Sequence, residues 1–465
     1  MEPLSFGSTD RAPGPDTHAP VPVFVKDPVK LSTLMVDIGP LRTSREFRIV
    51  FVARLVSIFG LGFAAVALPM QVYQLTGSSL AVATVHTTSA VSVLTGTIVA
   101  GMLADRGDRR RLIVIGRASA VIGFGALAVN TLTPGEPWLW VIYAAAAFNG
   151  FFGSFSAVAL QAAAPGFVPR DKLPAAGALL ALNGELGSVL APALGGGIIA
   201  LWGMGTNFVI TALLSLFTTL LVWRLPRLDA PEDGRRQSIA TALREGGRFA
   251  VGHRVVGPLL LLGLVQMLFA APQVLINEFT DKVLGGGPGL VGLLYTAPAV
   301  GALLGSLTSG WAGRAHRTGA LLLTAVALCG LAVLGLGAST WAPFAFVFLA
   351  FLGFGQVVEE ILRYALLQSH TPDRLRGRVN AVWTAQSTVG GSAGALTLGG
   401  LAPLIGAAGA LMAGGALTIV SVGALAVAFA GLRTARVLRD PETLASDGPP
   451  VADADRTTRT DKEKK

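Results

Sequence analysis

The sequence predicts an all-α membrane protein of twelve transmembrane helices in two six-helix halves, with both termini cytoplasmic. Three observations predict it. Twelve mostly apolar stretches of roughly 20 residues or more, the length a bilayer core demands, follow one another along the chain. Basic residues crowd every second connection and are nearly missing from the others. One stretch of the first half recurs in the second at a constant offset. Composition agrees: of 465 residues, 52% are hydrophobic, 14% are charged and 58 are glycine. That suits helices packed closely in lipid, not a solvated surface.

Taken in order, residues 1–40 contain Pro and Asp and no sustained apolar stretch, so they read as a disordered cytoplasmic tail without a cleavable signal peptide. The N-terminal half, 41–225, holds spans at about 47–73, 78–103, 111–132, 138–164, 174–201 and 205–225. Residues 226–254 form the longest connection. Within it, Ile239, Leu243 and Phe249 fall on one face of a short surface helix with Arg on the other, or the segment is a plain flexible linker. The C-terminal half, 255–432, holds spans at about 256–280, 288–312, 318–338, 342–368, 378–403 and 406–431. Residues 433–465 are a second disordered tail.

The even-numbered connections carry Arg106, Arg109, Arg110, Arg111, Arg170, Lys172, a cluster from Arg224 to Arg254, Arg314, Arg317, Arg374, Arg376 and Arg378. The odd-numbered ones carry only Lys282. By the positive-inside rule the even connections and both termini are cytoplasmic. Trp138, Trp140, Trp202 and Trp341 fall at the outer boundaries and Trp223 and Trp311 at the inner ones, as an interfacial belt requires; Trp383, inside the eleventh span, does not fit. The repeat pairs "GELGSVLAPALGGG" (184–197) with "STVGGSAGALTLGG" (387–400), as expected of a parallel transporter repeat.

The connection "GMLADRGDRRRL" (101–112) places one acid, Asp105, among Arg106, Arg109, Arg110, Arg111 and, a turn on, Arg117. Gly101, Leu103, Ala104, Asp105, Arg106, Arg109 and Arg110 resemble the cytoplasmic signature of the major facilitator superfamily, with Asp108 where the common pattern has Gly. The acid there, the first span "FVARLVSIFGLGFAAVALPMQVYQLTG" and "LLQSHTPDRLRGRVNAVWTAQS" are similar to the enterobactin-exporter branch, over about residues 42–435. Gly187, Pro192, Gly195 and Gly196 resemble a helix-bending antiporter motif, with Ala191 replacing its glycine. The resemblance implies a central cavity between two rocking halves, and a cytoplasmic latch in which Asp105 and Arg109 tie the halves together. An anion at a helix C-terminus asks for a cationic partner, which agrees with that role. A basic loop that merely sets topology is the simpler reading.

Ionisable and amide groups at membrane depth are the candidate binding and coupling residues. Arg54 in the first span either snorkels or faces a cavity, where it would suit an anionic, oxygen-rich ligand such as a catecholate. Glu185, in the fifth, departs from a basic residue in the exporter pattern and is a candidate proton or cation site. Arg363 lies four residues after Glu359 and three after Glu360, so either carboxylate can pair with it and the other is left for coupling. In the exporter pattern these positions are uncharged. Asn277, Glu278, Asp281 and Lys282 mark an outer vestibule or a solvated rim. His86 is either a satisfied polar residue or a proton relay. Phe148, Asn149, Phe152, Gln161, Trp383 and Gln386 offer amide and aromatic surface to a flat ligand.

No phosphate-binding loop, zinc motif or nucleophile elbow occurs, and the lone Cys329 excludes an intrachain disulfide framework and a cysteine-based metal site. The expectation is a non-enzymatic, cofactor-free, metal-free secondary transporter. Its partners are a small molecule, protons and the lipid bilayer, with no nucleic acid, and it acts as a monomer. The leading cargo is a catecholate siderophore, exported. Broad drug efflux, uptake, and a transporter-shaped receptor are the alternatives.

Overall fold

A computed structural model describes residues 39–104, 108–163, 168, 172–226, 239–309 and 317–437; the side chains of 161–163, 173–174, 185, 239–240 and 242 fall outside that description. Asp105, Arg106, Arg170, Arg314, most of both tails and residues 227–238 of the connection therefore lie outside the described residues. The described residues are nearly all helical, with no strand among them.

The helices are α1 (Gly39–Thr43), α2 (Arg45–Thr76), α3 (Ser79–Ala104), α4 (Arg109–Leu132), α5 (Leu139–Ala163), α6 (Leu173–Trp223), α7 (Ile239–Gly252), α8 (Val256–Phe269), α9 (Ile276–Lys282), α10 (Pro288–Thr308), α11 (Thr318–Ala338), α12 (Ala342–Ser369), α13 (Asp373–Ala428) and α14 (Ala430–Thr434). With α8 and α9 taken as one broken run, ten stretches among the described residues are long and apolar enough to cross a membrane. Their ends follow local chemistry. The Ser44 hydroxyl caps α2 by accepting from Phe47 N at 3.0 Å, and Gly77 ends that helix in the left-handed region at φ 62°. Asp108, the acid that departs from the signature, caps α4 by accepting from Arg110 N at 2.9 Å.

Two helices are longer than a bilayer core is thick. α6 has 51 residues and α13 has 56; at 1.5 Å per residue, straight helices of that size would run about 77 and 84 Å. Each is interrupted by one glycine outside helical geometry: Gly203 at φ 82° and Gly406 at φ 76°. A side chain is disfavoured there. The chain doubles back at both points. Asn207 Nδ2 donates to Gly195 O at 3.1 Å across the first bend, and Gly414 comes against Leu398 across the second.

The predicted seventh span is broken where the sequence expects continuity. α8 stops at Phe269, a 3-10 turn covers Pro272–Leu275, and α9 resumes with seven residues. Pro272 lacks an N–H and cannot continue the α8 hydrogen-bond ladder. In the connection between the halves, a helix has formed from Ile239 to Gly252. It packs on the start of α13: Gly246 lies against Arg378 O, and Arg378 pairs with Glu245.

Three apolar cores hold the molecule. One runs through both halves, from Ala64–Tyr73 and Ile142–Ala146 to Leu275–Phe279 and Leu398–Leu411. The other two each belong to one half: Phe47, Leu112, Phe155 and Leu225 in the first, and Leu259, Leu322, Leu362 and Leu432 in the second. The shared core lies at the end of the bundle that carries Gly77, Gly203 and Gly406, here called the far end. The separate cores lie at the near end, with the first and last described helices, α1 and α14.

Candidate functional site

At the far end the halves touch through backbone and charge. Gly196 of α6 faces Gly292 of α10 so closely that a Cβ on Gly196 would stand 2.5 Å from Gly292 Cα. Gly399 of α13 approaches α3, where its Cβ would meet Ser79 O at 2.9 Å. The single turn of α9 then takes two hydrogen bonds from the N-terminal half. Ser79 Oγ donates to Glu278 Oε2 at 2.5 Å, and Tyr73 OH donates to Asp281 Oδ2 at 3.1 Å. Lys282 Nζ donates to the other Glu278 oxygen at 2.8 Å, and Asn277 Nδ2 donates to Tyr295 OH at 3.4 Å. Of the four residues read as a vestibule or a solvated rim, Asn277 and Glu278 are buried, 2% and 4% exposed, while Asp281 and Lys282 are exposed.

Beneath this closure lies a cavity of about 680 Å³, within the range of small-ligand sites. Its wall is built mainly by α2, α3, α4 and α5. Gln273 and Val274 of the 3-10 turn and Tyr295 of α10 add the C-terminal half's share. Leu61, Leu68, Val85 and Phe124 make the wall largely apolar; Ser57, His86, Arg117 and Asn149 break it with polar groups. Among the described residues no carboxylate lines it.

Asn149 and His86 are thus where a ligand site needs them. Asn149 lies over Gly123, whose missing side chain makes room for the amide: a Cβ there would stand 2.0 Å from Oδ1. Both amide atoms are buried without a hydrogen-bond partner. Arg54, half-buried on α2, is not on the wall itself, but its charge acts on Arg117, which is. Arg117 donates through Nη1 to Ser57 Oγ, and its Nε is buried without a partner. The sequence reading counted Arg117 with the basic loop. It stands two turns inside the apolar α4, and the depth criterion that selected Arg54 selects it equally.

The remaining amide, aromatic and charged candidates gather elsewhere, inside the C-terminal half. Glu359 pairs with Arg363, both buried, while Glu360 is exposed. The i,i+4 partner is therefore the one formed. The Arg363 guanidinium lies 3.6 Å from the centre of the Trp383 ring. That explains the tryptophan that does not fit the interfacial belt: it serves a buried cation. With its amide nitrogen turned toward the carboxylate, Gln266 donates to Glu359 at 3.1 and 3.3 Å. Gln386 Nε2 donates to Leu260 O at 2.7 Å and ties α13 to α8. None of these residues lines the cavity. Phe148 packs on Phe152, and Phe152 on Phe151 and Phe155, in an aromatic row along α5 that does not line the cavity. The side chains of Glu185 and Gln161 lie outside the described residues.

The profile of the transmembrane secretion effector family matches residues 36–453. The chain belongs to that family, within the major facilitator superfamily. It is 36% identical over 371 residues to the enterobactin exporter EntS of Escherichia coli O1:K1 / APEC, covering 80% of this chain and 88% of that one. It is 36% identical over 422 residues to EntS of Salmonella choleraesuis (strain SC-B67), covering 90% and 98%. Among solved structures, the nucleoside transporter NupG superposes with a TM-score of 0.67 at 12% identity, covering 84% of this chain and 100% of that one. A POT family transporter in complex with 5-aminolevulinic acid gives 0.66 at 13% identity, covering 84% and 97%. These two share the fold. This major facilitator protein is thus a multi-pass transporter of the bacterial inner membrane, and its relatives are transporters, not enzymes.

The antiporter-like residues of this family member act as spacers in two directions. Gly187 lies against Ile58 and Gly195 against Phe63, both on α2, while Gly196 and the Pro192 carbonyl lie against Gly292 on α10. The signature loop is described in part. Gly101 has open space around it. Arg109 Nε donates to Ala104 O at 3.4 Å, and Arg110 donates to Trp223 O. These bonds join α3, α4 and α6 of one half. Asp105 and Arg106 lie outside the described residues.

Proposed function

We propose that this chain crosses the inner membrane twelve times, with the near end cytoplasmic, and exports a catecholate siderophore such as enterobactin by proton-coupled alternating access. The ten long helical stretches become twelve crossings when α6 and α13 are divided at Gly203 and Gly406, and the basic connections then all fall at the near end. The observation that carries the reading is the cavity. It lies mainly in the N-terminal half with Gln273, Val274 and Tyr295 of the other half completing it, is roofed at the far end by cross-half contacts, and has a largely apolar wall broken by Arg117, His86 and the Asn149 amide. That wall suits a flat aromatic, oxygen-rich anion. Enterobactin exporters at 36% identity over most of the chain support this cargo.

Proton coupling falls to a buried or membrane-depth carboxylate: Glu359, with Glu185 and Glu360 as the other candidates. Protonating Glu359 would release Arg363 and Gln266, which now hold it. Each chain encloses its own cavity, so one chain suffices for transport.

A deletion strain tests the cargo. It should retain iron chelator inside the cell under iron limitation and recover secretion when the gene is returned. Normal secretion with raised sensitivity to cationic drugs would replace the siderophore reading with drug efflux. Unchanged handling of both would remove export altogether.

A further inference from the structure

Arg117 is a cation at membrane depth without an anion. Among the described residues it has no carboxylate partner: its one hydrogen bond goes to the neutral Ser57 hydroxyl, and its Nε is buried unpaired. The charge that acts on it is of like sign, Arg54. Ionisable groups in spanning helices ordinarily pair with one another, as Glu359 and Arg363 do in the other half. The N-terminal half does the opposite. It places the Arg117 guanidinium on a cavity whose described wall holds no acid, within reach of the charge of Arg54. A second orphan lies on the same wall: the Ser156 hydroxyl, 3% exposed, has no hydrogen-bond partner. A structural arginine would have been provided with a carboxylate or backbone carbonyls. This one presents a fork suited to a carboxylate or a phenolate pair, with its field reinforced by a neighbour.

We propose that Arg117, backed by Arg54, is the anion-recognition group of the cavity, and that a carboxylate or phenolate oxygen of the cargo completes its pairing. The inference rests on the cavity being the transport site, but not on which molecule is moved. It makes α2 and α4 the helices that decide the cargo's charge. Asn149, on α5, meets a neutral polar part of the same ligand.

The test uses the purified full chain in lipid nanodiscs and three probes: 2,3-dihydroxybenzoate, its uncharged isostere 2,3-dihydroxybenzamide, and the cation tetraphenylphosphonium. Wild type should bind the benzoate about tenfold or more tighter than the amide. Arg117→Gln should abolish that difference by weakening the benzoate alone, and Arg117→Lys should keep part of it. Ser57→Ala removes the hydrogen bond but not the charge and should keep the preference. If Arg117→Gln does not fold, Arg117→Lys and Arg54→Gln carry the test, each reducing the ratio. An unchanged ratio in these variants, or strongest binding of the cation, overturns the proposal. An Arg117-dependent anion preference beside normal siderophore secretion in the deletion strain removes the siderophore and leaves the anion site. The reverse pattern removes the anion site and leaves the siderophore.

Discussion

Arg363 shows what single residues do in this molecule. It is 7% exposed, paired with Glu359 and stacked on Trp383. Removing one partner of a buried pair leaves the other charge uncompensated, at a cost of about 3–5 kcal/mol, whereas replacing both by apolar or neutral groups of similar size is near neutral. Arg363→Leu should therefore lower the thermal unfolding midpoint markedly, Trp383→Leu by much less, about 0.5–2 kcal/mol for the lost ring–cation contact, and Glu359→Gln with Arg363→Met should restore most of the loss. Dye-monitored melting of the purified variants checks the order; a double variant no better than Arg363→Leu would show that the pair is not the unit. If Glu359 carries the coupling proton, the double variant folds but exports without pH dependence. Helical spacing offers Arg363 either Glu359 or Glu360 as a partner, and the fold selects Glu359. Spacing did not reveal Trp383 over Arg363 or Gln266 against Glu359, because those come from other helices and only the tertiary fold brings them in. Arg117 was hidden differently, by its nearness in sequence to a basic loop from which it is separated by two helical turns.

At the scale of elements, the short helix α9 is the part that both halves share. The break after Phe269 frees one turn, and that turn accepts Ser79 and Tyr73 of the other half. A hydropathy reading passes over such a break, since Ala270, Ala271, Val274, Leu275 and Ile276 around it remain apolar; Pro272 is a local sign of it. A hydrogen bond to a charged group contributes about 1.5–3 kcal/mol. Every 1.4 kcal/mol is a factor of ten in population. Ser79→Ala should thus open the far end about tenfold more often or more, and Gly292→Leu, which puts a side chain where Gly196 now lies, should act in the same direction. The measure is the rate at which a membrane-impermeant maleimide, added from the periplasm, labels Ser89→Cys on the cavity wall in a Cys329→Ala background. An unchanged rate in both variants would mean that these contacts do not hold the far end shut.

Across the whole molecule, the distribution of apolar cores distinguishes the two ends of the bundle. The count of apolar stretches, the alternating charge and the weak repeat made the helical architecture legible from sequence. Which end is closed was not, because the same residues must serve both states and their pattern carries no preference between them. Among the described residues one apolar core is shared between the halves at the far end and two separate cores lie at the near end, so apolar packing of these residues joins the halves at the far end and not at the other. If transport proceeds by rocking about the cavity, the far-end joint must part in every cycle. A cleavable bifunctional thiol reagent placed between Ser79→Cys and Glu278→Cys, again without Cys329, should stop transport while leaving ligand binding from the cytoplasmic side within about twofold of the uncrosslinked variant. Cleaving the reagent should bring transport back. Both halves of that result are needed, since loss of binding would mean only a damaged site. A fully crosslinked chain that still moves its cargo would show that the cavity empties by a route that never separates α3 from α9, and the two-state reading of the three cores would fall with it.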